Sequence, residues 1–175
     1  MIPRRSFDPR SIGGLVLWLD DSQAVGQWSA KIGPNATQTA TNNQPSLSAL
    51  NSRPVLAFDG INDTLAFPGV TLSGWHAFAV VNPAVASSQS VLSIASSSTQ
   101  ALVLSSSATG WAVLTASGSP VTAQALDSRI GARWDGGALK GFYKGSIGEV
   151  LVYDAPLTAS QATAVTRYLS SKWGI

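Results

Sequence analysis

The residues able to do acid–base or nucleophilic chemistry are few and scattered. The chain has one glutamate, Glu149, in the run Gly148-Glu149-Val150-Leu151. A glycosidase on a β-sheet needs two carboxylates flanking the scissile bond, and alternate positions on one strand place both on one face. No carboxylate lies two or four residues from Glu149, and Asp154 falls on the opposite face under strict alternation. The single histidine, His76, sits in the apolar run HAFAVV, and no Gly-x-Ser-x-Gly elbow supplies a nucleophile. A packed, hydrogen-bonded histidine is the expectation. One histidine and no cysteine exclude a His/Cys zinc site. Calcium, which takes oxygen ligands, stays open. Asp59, Asn62 and Asp63 form the only compact oxygen cluster, and they read first as a turn bonding its own backbone. No catalytic residue, metal ligand or cofactor is therefore assigned, and the chain reads as a non-enzyme.

Binding is the next chemistry to weigh. The chain has six tryptophans. Trp75, Trp111 and Trp134 are the candidates for stacking on a sugar or anchoring a partner, against the alternative that they fill the core. Arg129, Arg133 and Asp135 around Trp134 read as a solvated loop edge. The net charge of +2 sits in the first ten residues, where Arg4, Arg5 and Arg10 face only Asp8. Arg4 and Arg5 are thus candidate contacts for an acidic partner. The rest of the chain balances, with no basic stripe for nucleic acid. From Thr64 to Leu126 there are 63 residues without Asp, Glu, Lys or Arg. Charges on strands normally deter edge pairing. Their absence predicts surfaces covered by neighbouring subunits, with a Ser/Thr-rich solvated surface as the alternative.

These residues must be positioned by strands. The chain has 175 residues, the size of one domain, and charged residues make up only 11%. Ser, Thr, Gly, Asn and Gln take their place, a composition suited to strands and turns. No apolar run is long enough to cross a membrane as a helix, and no apolar stretch follows Arg4–Arg5 to make a signal peptide. Residues 1–11 read as an arm, with Pro3 and Pro9 resisting regular structure. Residues 12–175 form the domain. Strands are predicted over Gly14–Asp20, Pro54–Phe58, Thr64–Phe67, His76–Val81, Val91–Ala95, Ala101–Leu104, Trp111–Ala116, Val121–Leu126 and Gly145–Tyr153. His76–Val81, apolar on both faces, reads as a central strand. Asp59-Gly60 suggests a hairpin between Pro54–Phe58 and Thr64–Phe67. Residues 29–54 read as loop or short irregular strand. One helix is predicted over 159–173, opened by the capping box Thr158…Gln161 and closed by Gly174. Val165 and Leu169 should face the sandwich. Glu149 reads as a structural acid holding a loop or arm, with Arg53 as one partner.

Three blocks carry a resemblance: FDPRSIGGLVLWLDDS (7–22, with Trp28 following), RPVLAFDGINDTL (53–65) and GSIGEVLVYDAPLTASQATAVTRYLSSKWGI (145–175). In this order they resemble the bacterial and phage branch of the concanavalin A-like (laminin G-like) jelly-roll superfamily. The resemblance implies an all-β jelly-roll β-sandwich with one C-terminal helix, and it implies that Trp18, Trp28 and Trp173, which fall in the matched blocks, pack in the core. That branch includes phage virion proteins. The expected function is a non-catalytic structural protein on the exterior of a phage particle, such as a capsid decoration (cement) protein. The alternatives are a tail-fibre or receptor-binding component, or a carbohydrate-binding module of a bacterial surface protein. The expected partners are further copies of the chain, other virion proteins such as the capsid shell, and glycans.

Overall fold

The computed structural model describes residues 7–95, 100–106, 109–122 and 128–175. In chain order the strands are β1 (Leu15–Leu19), β2 (Gln27–Trp28), β3 (Ala30–Ile32), β4 (Ala36–Thr37), β5 (Ser46–Leu50), β6 (Arg53–Asp59) and β7 (Leu65–Phe67). Then follow β8 (Trp75–Pro83), β9 (Gln89–Ala95), β10 (Gln100–Ser106), β11 (Ala112–Gly118), β12 (Ser128–Ile130), β13 (Arg133–Asp135), β14 (Ala138–Lys140) and β15 (Lys144–Tyr153). The helix α1 (Ala159–Trp173) closes the chain's order of elements.

Two antiparallel sheets stack as a sandwich. One runs β11-β8-β15-β1-β3, with β6 also on β15 and β5 on β6. The other runs β10-β9-β12-β7-β4-β2, and β13 and β14 form a separate hairpin. Strand β15 is the hub. Along one edge it pairs with β8, and along the other with β6 at Lys144–Ile147 and β1 at Val150–Tyr153. Leu17, Leu56, Ala77, Val81 and Val150 of the first sheet meet Leu65, Phe67, Val91, Leu92 and Ile130 of the second in the main core. On the far face of the first sheet, Trp18, Val55, Phe78, Val80, Leu151 and Tyr153 meet Val165, Leu169 and Trp173 of α1. Strand β8 alternates Ala77, Ala79 and Val81 to one core with Phe78 and Val80 to the other, as its apolar run predicts for a central strand.

The helix begins and ends where its caps dictate. The Thr158 hydroxyl accepts the Gln161 N–H at 3.3 Å, and the Gln161 side chain accepts the Thr158 N–H at 2.9 Å. Gly174 takes the left-handed conformation at φ 68°. Thr158→Ala is expected to cost about 1 kcal/mol, read from urea unfolding. A cost near zero would show that tertiary packing alone sets this terminus.

One expected pairing changes. Strands β6 and β7 are not a hairpin but lie in different sheets: the turn at Asp59–Asp63 carries the chain across the main core, so that β6 pairs with β5 and β15 while β7 pairs with β12 and β4. The polar segment 29–54, expected as loop or short irregular strand, holds the short strands β3 and β4 and the five-residue β5. Strand β5 turns into β6 through Asn51 and Ser52, both at positive φ (48° and 63°), the geometry of a tight two-residue hairpin. Val121 makes a bridge to Leu72, and residues 123–126 of the strand predicted over Val121–Leu126 lie outside the described residues. At the N-terminus, residues 7–12 pack on the helix layer. Phe7 meets Tyr168 at 5.9 Å, the Tyr153 hydroxyl donates to the Pro9 carbonyl at 3.1 Å, and Ile12 is buried.

Candidate functional site

The densest polar chemistry lies between the first sheet and α1. A bulge in β15 falls between Ile147 and Glu149, at Gly148. It resets the strand's alternation, so Ile147 faces the main core while Glu149 faces the helix. Gly148 is required there: a Cβ would sit 2.9 Å from the Trp173 ring. Glu149 has no solvent exposure. The Trp18 indole donates to Oε1 at 2.8 Å, the Trp173 indole to Oε2 at 2.7 Å, and Lys172 Nζ lies 2.9 Å from Oε2. Lys172 also bonds Asp20, which Lys31 reaches from the other side, and Lys31 meets Asp21 at 3.1 Å. Burial and the nearby Asp20 push the Glu149 carboxyl up, against the opposing pull of Lys172 and the Trp173 N–H.

Arg53 is not the partner of Glu149. It donates Nε to the Lys172 carbonyl at 3.1 Å, lies over the Trp173 ring and faces Asp21 at 3.9 Å. Asn51 donates to the Trp173 carbonyl at 2.7 Å. The β5–β6 hairpin thus satisfies two of the carbonyls that a helix leaves open at its C-terminus. The whole arrangement clamps the end of α1 to the sandwich and leaves the carboxylate no route to a substrate.

His76 is held as a structural group. It accepts the Leu157 N–H at Nδ1 (3.2 Å), which leaves Nε2 to donate to the Thr115 hydroxyl (2.9 Å), and its ring stacks on Phe78. Burial holds its imidazole below the usual histidine value. The neutral ring is favoured in the fold, so this stability is present above about pH 6.5 and is lost as pH falls through the folded value. His76→Gln is expected to flatten the drop in melting temperature between about pH 7 and pH 5. An equally steep drop in the variant would move the acid sensitivity elsewhere. Asp59 Oδ1 accepts the N–H groups of Ile61, Asn62 and Asp63, while Asp63 Oδ2 accepts the Asp59 N–H at 2.8 Å. These carboxylates serve the turn, and among the described residues no group of three His, Cys, Asp or Glu could hold a metal.

The tryptophans separate. Trp18, Trp28 and Trp173 are buried, as expected. Trp75 is also buried, over Gly118, where a Cβ would stand 2.6 Å from its ring, so it cannot stack on a ligand. Trp111 is half-buried at the rim of the helix-side core. Trp134 is half-buried on the β13–β14 hairpin, with the Arg129 guanidinium 5.5 Å from its ring centre. Asp135 sits 3.9 Å from Arg133 and 3.7 Å from Lys140, so the expected loop edge is a short ion-paired hairpin. Arg4 and Arg5 lie outside the described residues. A groove of about 670 Å³ between α1 and the N-terminal segment, lined by Phe7, Arg53, Arg167, Tyr168 and Lys172, was not anticipated. Its signal was the spacing of Ala164, Arg167, Tyr168 and Ser171 on the helix face away from Val165 and Leu169.

No protein-family model matches the chain, and no curated protein matches it. Among solved structures, Trypanosoma rangeli sialidase resembles it over 92% of this chain and 33% of that chain, at a TM-score of 0.56 and 12% identity. A mutant of the same sialidase displaying trans-sialidase activity gives the same TM-score and identity over 91% of this chain. The chain thus spans about a third of the length of these structures. At this identity the likeness concerns the fold: an all-β antiparallel sandwich with one C-terminal helix.

Proposed function

We propose that the chain is a non-catalytic structural module of the concanavalin A-like jelly-roll type, on the exterior of a phage particle, most simply a capsid decoration protein. One observation carries the non-catalytic reading: the single glutamate, the best candidate acid on a strand, is consumed inside the sheet–helix clamp with both oxygens accepting from buried donors. The resemblance of the three sequence blocks supports the phage setting. The uncharged segment 64–126, which supplies both edge strands β10 and β11 on one side of the sandwich, supports assembly with further copies. Arg4 and Arg5 provide an electrostatic anchor to an acidic shell. The test is co-sedimentation with undecorated phage shells and with tails. Binding to shells that weakens with salt, and weakens further when residues 1–6 are deleted, supports the reading. Binding to tails alone makes the chain a tail-fibre or receptor-binding component. Binding to neither overturns the virion assignment.

A second reading has its own observation. Trp134, stacked with Arg129 and half-exposed, is a platform on which a sugar ring could rest. The solved structures that share the fold include a sialidase in complex with sialic acid. A carbohydrate-binding module of a bacterial surface protein would bind a glycan array as a monomer and lose that binding in Trp134→Ala.

A further inference from the structure

The edges of the two sheets differ in how they are protected. Strand β3 has three residues with Lys31 at its centre, and β2 has two residues. Strand β10 has its register broken at two points. Strand β5 follows Pro45 and has five residues, four of them exposed. Short length, charge, bulges and proline are the devices that stop an edge from recruiting another strand. Strand β11 has none of them. It pairs with β8 without a shift from Ala112↔Val81 to Gly118↔Trp75, and it contains no charge and no proline. Among the described residues, no strand pairs with its outer edge.

Its side chains have the character of an interior strand. Leu114 and Ala116 pack against the main core, and Val113, with Trp111 just before the strand, against the helix-side core. All four remain only half-buried. A strand with apolar residues toward two cores is normally flanked on both sides.

We infer that the outer edge of β11 pairs antiparallel with β11 of a second copy of this chain, joining the two seven-stranded sheets into one continuous sheet across a twofold axis near Thr115. This rests on the particle-exterior reading only in expecting that copies associate. The strand is self-complementary in that register. Leu114 falls opposite Ala116, Val113 opposite Ser117, and Thr115 opposite its own equivalent, so each large side chain meets a small one on the same face. No like charges are opposed, as they would be at any charged position near a twofold axis. The contact is also large enough. Seven residues span ~24 Å, and two sheets with a helix layer add roughly 30 Å of depth. That strip is close to the ~800 Å² per partner of a stable interface.

The test is sedimentation of the full chain at increasing concentration, with Thr115→Lys, Thr115→Glu and the exposed loop variant Thr39→Lys as a control. The wild type and the control should form dimers. Each Thr115 variant should dimerise more weakly by on the order of a hundredfold, since like charges are placed together across an interface. A mixture of the Lys and Glu variants should recover the dimer, which a mere folding defect would not allow. A monomeric wild type, or a dimer indifferent to both substitutions, overturns the inference. The second outcome leaves the particle-exterior reading intact, because that reading stands or falls on sedimentation with shells and tails.

Discussion

Glu149→Leu is expected to lower the unfolding free energy by about 3–5 kcal/mol at pH 7, seen as a lower urea midpoint with an unchanged slope. Three donors converge on this carboxylate: the Trp18 and Trp173 indoles and the Lys172 ammonium. Leucine fills much of the volume but accepts nothing. Two buried indole N–H groups then lose their acceptors, at about 1–3 kcal/mol each, and Lys172 loses one of its two carboxylates and keeps Asp20. Glu149→Gln should cost less. Its amide oxygen still serves one indole, and it removes the charge that burial and Asp20 disfavour. The order wild type, Gln, Leu is the informative result. A leucine variant as stable as the wild type would mean that the indoles find other acceptors. Neither variant should change binding to shells or glycans beyond its effect on folding, and hydrolysis of a polysaccharide lost in Glu149→Gln would instead make this residue catalytic.

Leu169→Ala is expected to cost roughly 2–5 kcal/mol. Leu169 is fully buried between α1 and the sheet, in one cluster with Val165, Phe78 and Leu151. The helix is tied at its start by the capping box and at its end by the Asn51 and Arg53 bonds, so it has little freedom to collapse onto the space left behind. That places the expected loss toward the upper part of the range. A loss below half of one kcal/mol would show that the helix unfastens locally without weakening the sandwich.

The helix was legible to the residue because its signals are local: a capping box, a 3.6-residue apolar stripe and a glycine stop. The central strand was legible because two apolar faces leave only one kind of place in a sandwich. What could not be read were partnerships. Asp59-Gly60 is a good turn signal, yet it links strands of different sheets, since pairing is decided by residues far along the chain. Strand β5 was hidden because its side chains are mostly exposed and alternate Ser with aliphatics without burying either face. The role of Glu149 was half legible. Its isolation argued against catalysis, but the bulge at Gly148 that turns it toward Trp173 leaves no mark in a pattern of alternation. Trp75 shows the same limit: its burial depends on Gly118 of a neighbouring strand.

The pairing of β1 with β15 also governs when the protein can fold. Trp18 finds Glu149 across 131 residues, and Asp20 finds Lys172 across 152. As the chain leaves the ribosome, its first strand emerges long before any partner for it exists. The hub of the first sheet and the helix that covers it are made after every other element of the sandwich. Assembly of that sheet therefore waits until residues 144–173 have emerged, and such distant pairings place folding in the slow, millisecond-to-second class. Throughout synthesis, the uncharged strands between residues 64 and 126 wait in the open with nothing to repel their equivalents on neighbouring nascent chains. Holdase chaperones would find their binding window there.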